Sequence, residues 1–490
     1  MDRLCLSELV DVATALRPPF DPRELSAGIV HLGLGAFHRA HQAVYTQQAI
    51  AATGELGWGI CGVSPRSRGV LDQLGPQDGL YTVLTRSADE TRAEIVGAIR
   101  EVLCCADDPS PVLQRIGAAP TCVVTATVTE KGYRMRGGRL DVDDPEIAAD
   151  LAGRAPRTVV GVLAGGLLAR MQADAGPISV LCCDNIPGNG VVLARLVDDF
   201  AEHLPRSDVL RSWIRKQVRF PSTMVDRIVP ATTDGDRDDV ARLIGLRDDG
   251  AVVAEPFTQW VIEDDFAADR PRWERAGATM TADVQPYEEI KLRLLNGSHS
   301  ALAYLGALAG AESIADAMAI GEIGELVDRL MREEMARTLT IPDGFDLDAY
   351  IASLQSRFTN PALRHSTLQV AMDGSQKIPQ RWLPAVQSLL QHGREPRLLA
   401  VAIAGWMRFV SHRRSDVGRP LPLADPMAAT IAEHVAETSS PRGLRDSLLG
   451  IVPVFGAGLR DDALVCALVD EALEQLTSRP VRAALRSLLR

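Results

Sequence analysis

In the first half of the chain, short β-branched apolar runs alternate with longer amphipathic stretches. Gly28-Ile-Val-His-Leu32 predicts a strand, Gly33-Leu-Gly35 a tight turn, and Ala36 to about Thr53 a helix. The runs 57–63, 121–128 and 178–183 predict further buried strands, the last two closed by polar residues. Alternation of this kind implies a parallel sheet flanked by helices. Ligands of such sheets gather beyond the carboxyl ends of the strands, which makes Thr129, Glu130, Lys131, Asp184 and Asn185 candidates by position. From Pro286 onward, apolar residues recur at helical spacing, and Pro-containing connectors at 341–343, 379–384 and 420–426 separate helices. The expected fold class is therefore α/β: a doubly wound parallel-sheet domain, residues 1–284, followed by a mostly α-helical domain, residues 285–490.

The turn Gly33-Leu-Gly35-Ala36-Phe37-His38 follows a strand and opens a helix. Glycines there let backbone N–H groups at the helix start approach a pyrophosphate. Gly33, Gly35, Ala36 and Phe37, together with Thr125 on a later strand, are candidate cofactor contacts. His38 stands where the usual fingerprint has its third glycine. It has two readings, shared with Arg39 and His41: contact with phosphate or substrate, or a solvated helix position. An acid should end the second strand if the cofactor is NAD. Instead Ser64-Pro-Arg66-Ser-Arg68 follows it, with no acid before Asp72. Arg66 thus joins the cofactor candidates. NAD is the expected cofactor and NADP the alternative.

The sharpest signal is Tyr287-Glu-Glu-Ile-Lys291-Leu-Arg-Leu-Leu-Asn296-Gly-Ser-His299-Ser. Pro286 suits a first helical turn, and Glu288 and Glu289 complement its positive end. At about 100° per residue, Lys291, Asn296 and His299 fall near 0°, 140° and 80°, on one side of the helix. A lysine base, an amide donor and an imidazole on one arc suit oxidation of a carbinol. The amine takes the hydroxyl proton, the amide steadies the alkoxide, and the imidazole fixes a neighbouring oxygen. Burial should bring the lysine pKa toward working pH. An exposed amphipathic face is the alternative on spacing alone. Tyr287-x-x-x-Lys291 also matches the tyrosine–lysine pair of short-chain dehydrogenases. Those chains are about half this length and keep the pair inside the nucleotide-binding domain.

Three further motifs each admit two readings. Asn185, after Cys183-Asp184, is either a second oxyanion donor or part of an Asx turn. Asp226 either orients a base or forms a surface charge pair with Arg227. The turn Asp373-Gly-Ser-Gln-Lys377-Ile-Pro-Gln-Arg381 either meets substrate oxygens or is solvated.

Composition narrows the field. Lysine supplies only four of the 52 basic residues, at 131, 216, 291 and 377. Arginine stays protonated where a desolvated lysine can lose its proton, so this scarcity draws attention to Lys291 and Lys377. The 490 residues, 46% hydrophobic, suffice for two cored domains. A net charge of −12 without a basic run disfavours nucleic acid and anionic membranes. No secretory leader or bilayer-length apolar stretch is legible, so a cytoplasmic location is expected. The eight cysteines include no Cys-x-x-Cys, which suggests core thiols, and no His-Glu-x-x-His or other metal motif occurs.

Taken together, Ile29 through Gln42, Thr127 through Tyr133, Cys183-Asp-Asn185, Thr223 through Pro230, Glu255 through Asp264, Lys291 through Ser300 and Asp373 through Lys377 resemble the mannitol dehydrogenase family of polyol-specific long-chain dehydrogenases. The resemblance spans roughly residues 28–430. It implies a Rossmann-type first domain, a helical second domain, and metal-independent hydride transfer between NAD(P) and C2 of an acyclic polyol or hexonate. By motif match, Lys291 is the general base, Asn185 and Asn296 the oxyanion donors, and His299 a substrate ligand, with Asp226 and Lys377 lining the same site. Within the family, the Lys291 and Asp373 motifs look most like fructuronate reductase, which interconverts fructuronate and mannonate. Gln369 stands where mannitol enzymes can carry an arginine, and a uronate carboxylate would need Lys377 or Arg381. Mannitol or arabinitol 2-dehydrogenase is the alternative, and a non-catalytic nucleotide-binding sensor the alternative outside enzymology. The expected partner is a small polyol or sugar acid; oligomeric state is not assigned.

Overall fold

The computed structural model describes residues 1–363, 365–438 and 440–490, which form two compact units, Met1–Gln285 and Pro286–Arg490. The first is built on six strands: β1 (Ala27–Leu32), β2 (Gly59–Ser64), β3 (Ile99–Cys104), β4 (Val123–Ala126), β5 (Ile178–Cys182) and β6 (Val218–Arg219). They lie side by side in the order β6-β5-β4-β1-β2-β3, and every neighbouring pair is parallel. This is the doubly wound Rossmann arrangement, whose strand order reverses between β1 and β4.

Alternation along β1 shows how the sheet gains two covered faces. Val30 and Leu32 enter a core with Val160, Leu163 and Leu167 of the helix Val159–Gln172, whereas Ile29 enters one with Ala43, Ala49 and Ile50. Burying such aliphatic side chains stabilises by about 1.5–3 kcal/mol each. The predicted helix from Ala36 to Thr53 is two helices, Ala36–Ala40 and Gln42–Thr53, broken at His41 (φ −126°, ψ −89°). Unforeseen in the sequence are two three-stranded sheets in this unit, one of Tyr81–Arg86, Thr91–Val96 and Val252–Ala254, the other of Thr223–Asp226, Gln259–Glu263 and Thr279–Thr281. All eight cysteines are free thiols.

The second unit is helical. Its central helices Ser298–Ala309 and Arg397–His412 pack against each other, for example where Leu305 meets Gly405, at which an added Cβ would come within 2.8 Å of the leucine. No helix among the described residues is long and apolar enough to cross a membrane. Glu334 anchors the start of Arg397–His412, its carboxylate accepting the N–H groups of Leu398 (2.7 Å) and Leu399 (2.9 Å). Even with these bonds, burial pushes its pKa from 4.5 up to about 7. The proton on Glu334 therefore contributes stability that is fully present below about pH 4.5 and lost as pH rises through about 7. A shift of this size corresponds to roughly 3 kcal/mol. Thermal unfolding of the wild type should lose stability between pH 5 and 8 relative to Glu334→Gln, and parallel melting curves for the two would contradict this assignment.

Candidate functional site

In the first unit, the carboxyl ends of β1, β4 and β5 are tied into one construction. Gly33 has φ +101°, and an added Cβ would lie 2.0 Å from the Thr127 carbonyl oxygen. Only glycine fits that close backbone approach. The Gly33 and Leu34 N–H groups bond the Val63 carbonyl of β2 at 2.9 and 3.2 Å. Gly35, exposed and extended, caps the helix Ala36–Ala40, with Ala36 and Phe37 half-buried beside it. An exposed glycine at a helix start, with the Leu34 side chain buried, fits a dinucleotide pyrophosphate.

His31 braces this turn from below. Its Nδ1 meets Thr125 Oγ1 at 2.7 Å, and its Nε2 lies 2.9 Å from Thr127 Oγ1 and 3.1 Å from the Gly33 carbonyl oxygen. Thr125 is thus buried, with its hydroxyl engaged by His31. His38 stacks on His31 at 3.3 Å between ring centroids, and burial keeps both imidazoles far below their usual pKa and neutral. His38, Arg39 and His41 are all buried, which removes the solvated reading of these three. Arg39 donates to the Gly250 carbonyl at 2.5 Å. Past β2, Arg68 pairs with Asp107 and Asp72, whereas Arg66 is exposed and makes no ion pair with any described residue.

Asn185 lies exposed just past β5. Its neighbour Asp184 accepts the N–H groups of Val128 and Thr129 (2.9 Å each) and the Tyr133 hydroxyl (2.7 Å). Thr129 sits at φ +68°, ψ 155°, a region costly to a β-branched residue, and Asp184 holds it there. Asn189 links the same loop onward, donating to the Asp184 and Thr223 carbonyls. Asp226 ends the strand Thr223–Asp226 of a three-stranded sheet and is buried, at 4% exposure. Arg227 donates to the backbone carbonyls of Glu255 and Ala40.

In the second unit, the Lys291 run departs from the geometry that its spacing predicts. An α-helix at Gln285–Ile290 widens into a π-helix over Lys291–Gly297 and returns to α at Ser298–Ala309. In a π-helix each N–H bonds the carbonyl five residues back. Asn296 therefore falls close to one turn below Lys291 instead of 140° around the helix, as about 100° per residue would give. π-turns of this kind concentrate at functional sites. Lys291 is buried at 8% exposure, and Asn296 and His299 are half-buried. The Tyr287 ring packs edge-on to Phe345.

Burial first, then the charges of His365, Arg381, Arg357 and Lys377, hold His299 well below its usual pKa. It is a neutral hydrogen-bonding group, with the His365 ring 4.7 Å away. Lys377 donates to the Val370 carbonyl at 3.0 Å, and no carboxylate among the described residues forms an ion pair with it. Burial, then Arg381, lowers its pKa from 10.5 to about 8. Arg381 donates to the Asn296 carbonyl (3.1 Å) and to Ser300 Oγ (2.8 Å), and Trp382 Nε1 to the Gly297 carbonyl (3.0 Å). The glycine of the Asp-Gly-Ser turn has a packing reason: a Cβ on Gly374 would meet Tyr304 Oη at 2.6 Å and Trp406 Nε1 at 2.7 Å.

Each unit gathers its own candidates. Gly33, Gly35, Ala36, Phe37 and Thr125 surround one turn, with Arg66 past the end of β2, Asn185 past the end of β5, and Asp226 at the end of a strand in a separate three-stranded sheet. Asn296, His299 and Arg381 form one cluster, with Lys377 a helical turn from Arg381, and Lys291 opens the helical segment that carries Asn296 and His299. Sequence reasoning missed Trp382, His365 and the bracing role of His31; Trp382, adjacent to Arg381, carried the one usable signal.

A family model described as the mannitol dehydrogenase Rossmann domain matches residues 27–275, and one described as the mannitol dehydrogenase C-terminal domain matches residues 283–477. The chain is 41% identical over 479 residues to the D-mannonate oxidoreductase of Escherichia coli (strain K12), covering 96% of this chain and 98% of that protein. It is 37% identical over 479 residues to a mannitol 2-dehydrogenase of Pyrenophora tritici-repentis (strain Pt-1C-BFP), covering 96% and 83%. Among solved structures, Pseudomonas fluorescens mannitol 2-dehydrogenase in ternary complex with NAD and D-mannitol matches with a TM-score of 0.85 and 33% identity over 99% of both chains.

Proposed function

Because the chain belongs to the mannitol dehydrogenase family, we propose that it moves a hydride between NAD and the carbon that is C2 of fructuronate and C5 of mannonate, interconverting the two. The observation that carries the chemistry is the π-turn, which sets the buried Lys291 amine close to one turn above the Asn296 amide, with a neutral His299 following. Lys291 Nζ accepts the proton of the hydroxyl on that carbon, and the Asn296 side-chain N–H stabilises the oxygen as charge builds on it. Asn185 is the second donor proposed for that oxygen, and Asp226 a substrate contact. His299 orients a neighbouring hydroxyl. Bound nicotinamide supplies the hydride acceptor, and Gly33, Gly35, Ala36 and Phe37 are the residues that would hold the dinucleotide. NADP is the competing cofactor, since exposed Arg66 suits a 2′-phosphate.

Lys377 favours a hexonate over a neutral polyol: it is a half-buried cation without a carboxylate partner among the described residues, a setting in which a substrate carboxylate binds strongly. Its pKa of about 8 sets a pH window. The KM for mannonate should rise above about pH 8 as the ammonium deprotonates, whereas the KM for mannitol should not follow. Purified enzyme assayed with NAD and with NADP against mannonate, mannitol, arabinitol and sorbitol tests the assignment. Mannonate is expected to be preferred, with Lys377→Ala costing about 10- to 100-fold in kcat/KM for it alone. Equal loss on mannonate and mannitol would end the carboxylate role. The second reading, a mannitol 2-dehydrogenase, draws support from the structural similarity to the enzyme crystallised with NAD and D-mannitol, and preferred turnover of neutral polyols would establish it.

A further inference from the structure

We propose that Arg381 and Trp382 are positioning residues for the reaction: by bonding the carbonyls of Asn296 and Gly297 they hold open the π-turn that brings Asn296 beneath Lys291. The role in catalysis rests on the assignment of Lys291 as the base; the structural claim does not.

An α-helix has no intrinsic reason to widen at Lys-Leu-Arg-Leu-Leu-Asn-Gly. Leucine and arginine favour the α ladder, and π segments are rare. Something outside the segment must favour the wider turn. Inside a regular α-helix each carbonyl is occupied by the N–H four residues on, and an inserted side-chain donor disturbs that ladder. Here two successive carbonyls each receive an outside donor: Arg381 Nη1 reaches the Asn296 oxygen at 3.1 Å and Trp382 Nε1 the Gly297 oxygen at 3.0 Å. The same Arg381 nitrogen also donates to Ser300 Oγ at 2.8 Å, one turn further on, so the clamp spans the return from π to α.

The donors are themselves fixed. Trp382 is fully buried, its ring edge-on to Tyr304 at 6.1 Å. Arg381 forms no ion pair with any described carboxylate, and although burial lowers its pKa to about 10, it stays cationic at neutral pH. A Cβ on Gly297 would come within 2.8 Å of Met335 Cε and 3.4 Å of the Arg381 carbonyl oxygen. Arg381 on this account serves the backbone of the Lys291 segment, and Lys377 alone serves a substrate carboxylate.

Trp382→Phe keeps the ring and deletes the N–H donor, Arg381→Lys keeps the charge and loses the fork, and Arg381→Met removes both. With mannonate and with mannitol, kcat should fall about tenfold for Trp382→Phe and about 100-fold for Arg381→Met, with partial recovery in Arg381→Lys. KM should change little on either substrate. Crystal structures of Trp382→Phe and Arg381→Lys should show residues 291–297 relaxing toward the α ladder. Should Arg381→Met fail to fold, the two conservative variants still decide. A retained π-turn, wild-type kcat in both conservative variants, or a rise in KM for mannonate alone would overturn the proposal. A Lys291→Ala control separates the two claims: if it retains wild-type kcat the base assignment fails, whereas an inactive Lys291→Ala beside fully active clamp variants removes only the clamp.

Discussion

Replacing Lys291 with alanine is expected to lower kcat by about 10²- to 10⁴-fold, the usual contribution of a positioned general base, while the dissociation constant for NAD stays within about twofold of wild type. The expectation follows from where the side chain sits. Lys291 begins the π segment, is 8% exposed, and lies in a different compact unit from the glycine turn proposed to hold the cofactor. Removing the amine deletes the proposed proton acceptor and leaves the residues of the glycine turn unchanged. The loss should therefore fall on kcat and on kcat/KM together, the pattern of an interaction made in the transition state. Steady-state kinetics paired with a fluorescence titration of NAD read both quantities. Added primary amines should restore part of the rate, and a variant that keeps its rate would show that some other group takes the proton.

Gly33→Ala carries the second largest expected effect, and it falls on the fold and on cofactor affinity. At φ +101° a side chain is strained whatever the available space, at about 1–3 kcal/mol. Here the space is also missing, because the new methyl would lie 2.0 Å from the Thr127 carbonyl oxygen and 2.7 Å from its carbon. That neighbour is backbone, anchored by the Thr127 N–H to the Leu32 carbonyl at 2.9 Å and by the Thr127 hydroxyl to the Gly33 carbonyl at 3.0 Å. It cannot rotate aside as a side chain would. The turn must open, displacing Gly35 and the start of the helix Ala36–Ala40, so NAD affinity should fall by at least about 100-fold with a lowered melting temperature. Gly35→Ala is the control: its φ of −82° is ordinary, and its Cβ would stand 3.8 Å from the nearest atom. It should melt like the wild type. Equal melting temperatures and NAD affinities for Gly33→Ala and wild type would contradict the reading of this turn.

How much of this was legible in the sequence depends on the range over which each feature is decided. The parallel strands declare themselves because each is a short apolar run buried on both faces, as β1 shows with Ile29 in one core and Val30 and Leu32 in the other. The glycine turn is equally local, since its conformation demands the residue. The Lys291 run names its chemistry through residue types, but its geometry is set elsewhere. The 3.6-residue period assumes the α ladder, and the donors associated with its replacement stand 85 residues away in the chain. Arg227 shows the same dependence on distant sequence. Next to Asp226 in sequence it looks like a charge partner, yet its guanidinium reaches the Ala40 carbonyl, 187 residues away. The burial of His38, Arg39 and His41 was hidden too, because polar side chains on a helix read as solvated until the packing above them is known. Asp184 was legible by position at a strand end, but the strained Thr129 that it holds was not.

Hydride transfer at the carbon that is C2 of fructuronate and C5 of mannonate is the central claim, and isotopic labelling tests it most directly. D-Mannonate carrying deuterium at C5, the carbon that becomes C2 of fructuronate, should be oxidised with NAD more slowly than the unlabelled acid, and each reduced nicotinamide recovered should carry the deuterium. Reduced nicotinamide free of the label would place the oxidation at another carbon and contradict the account.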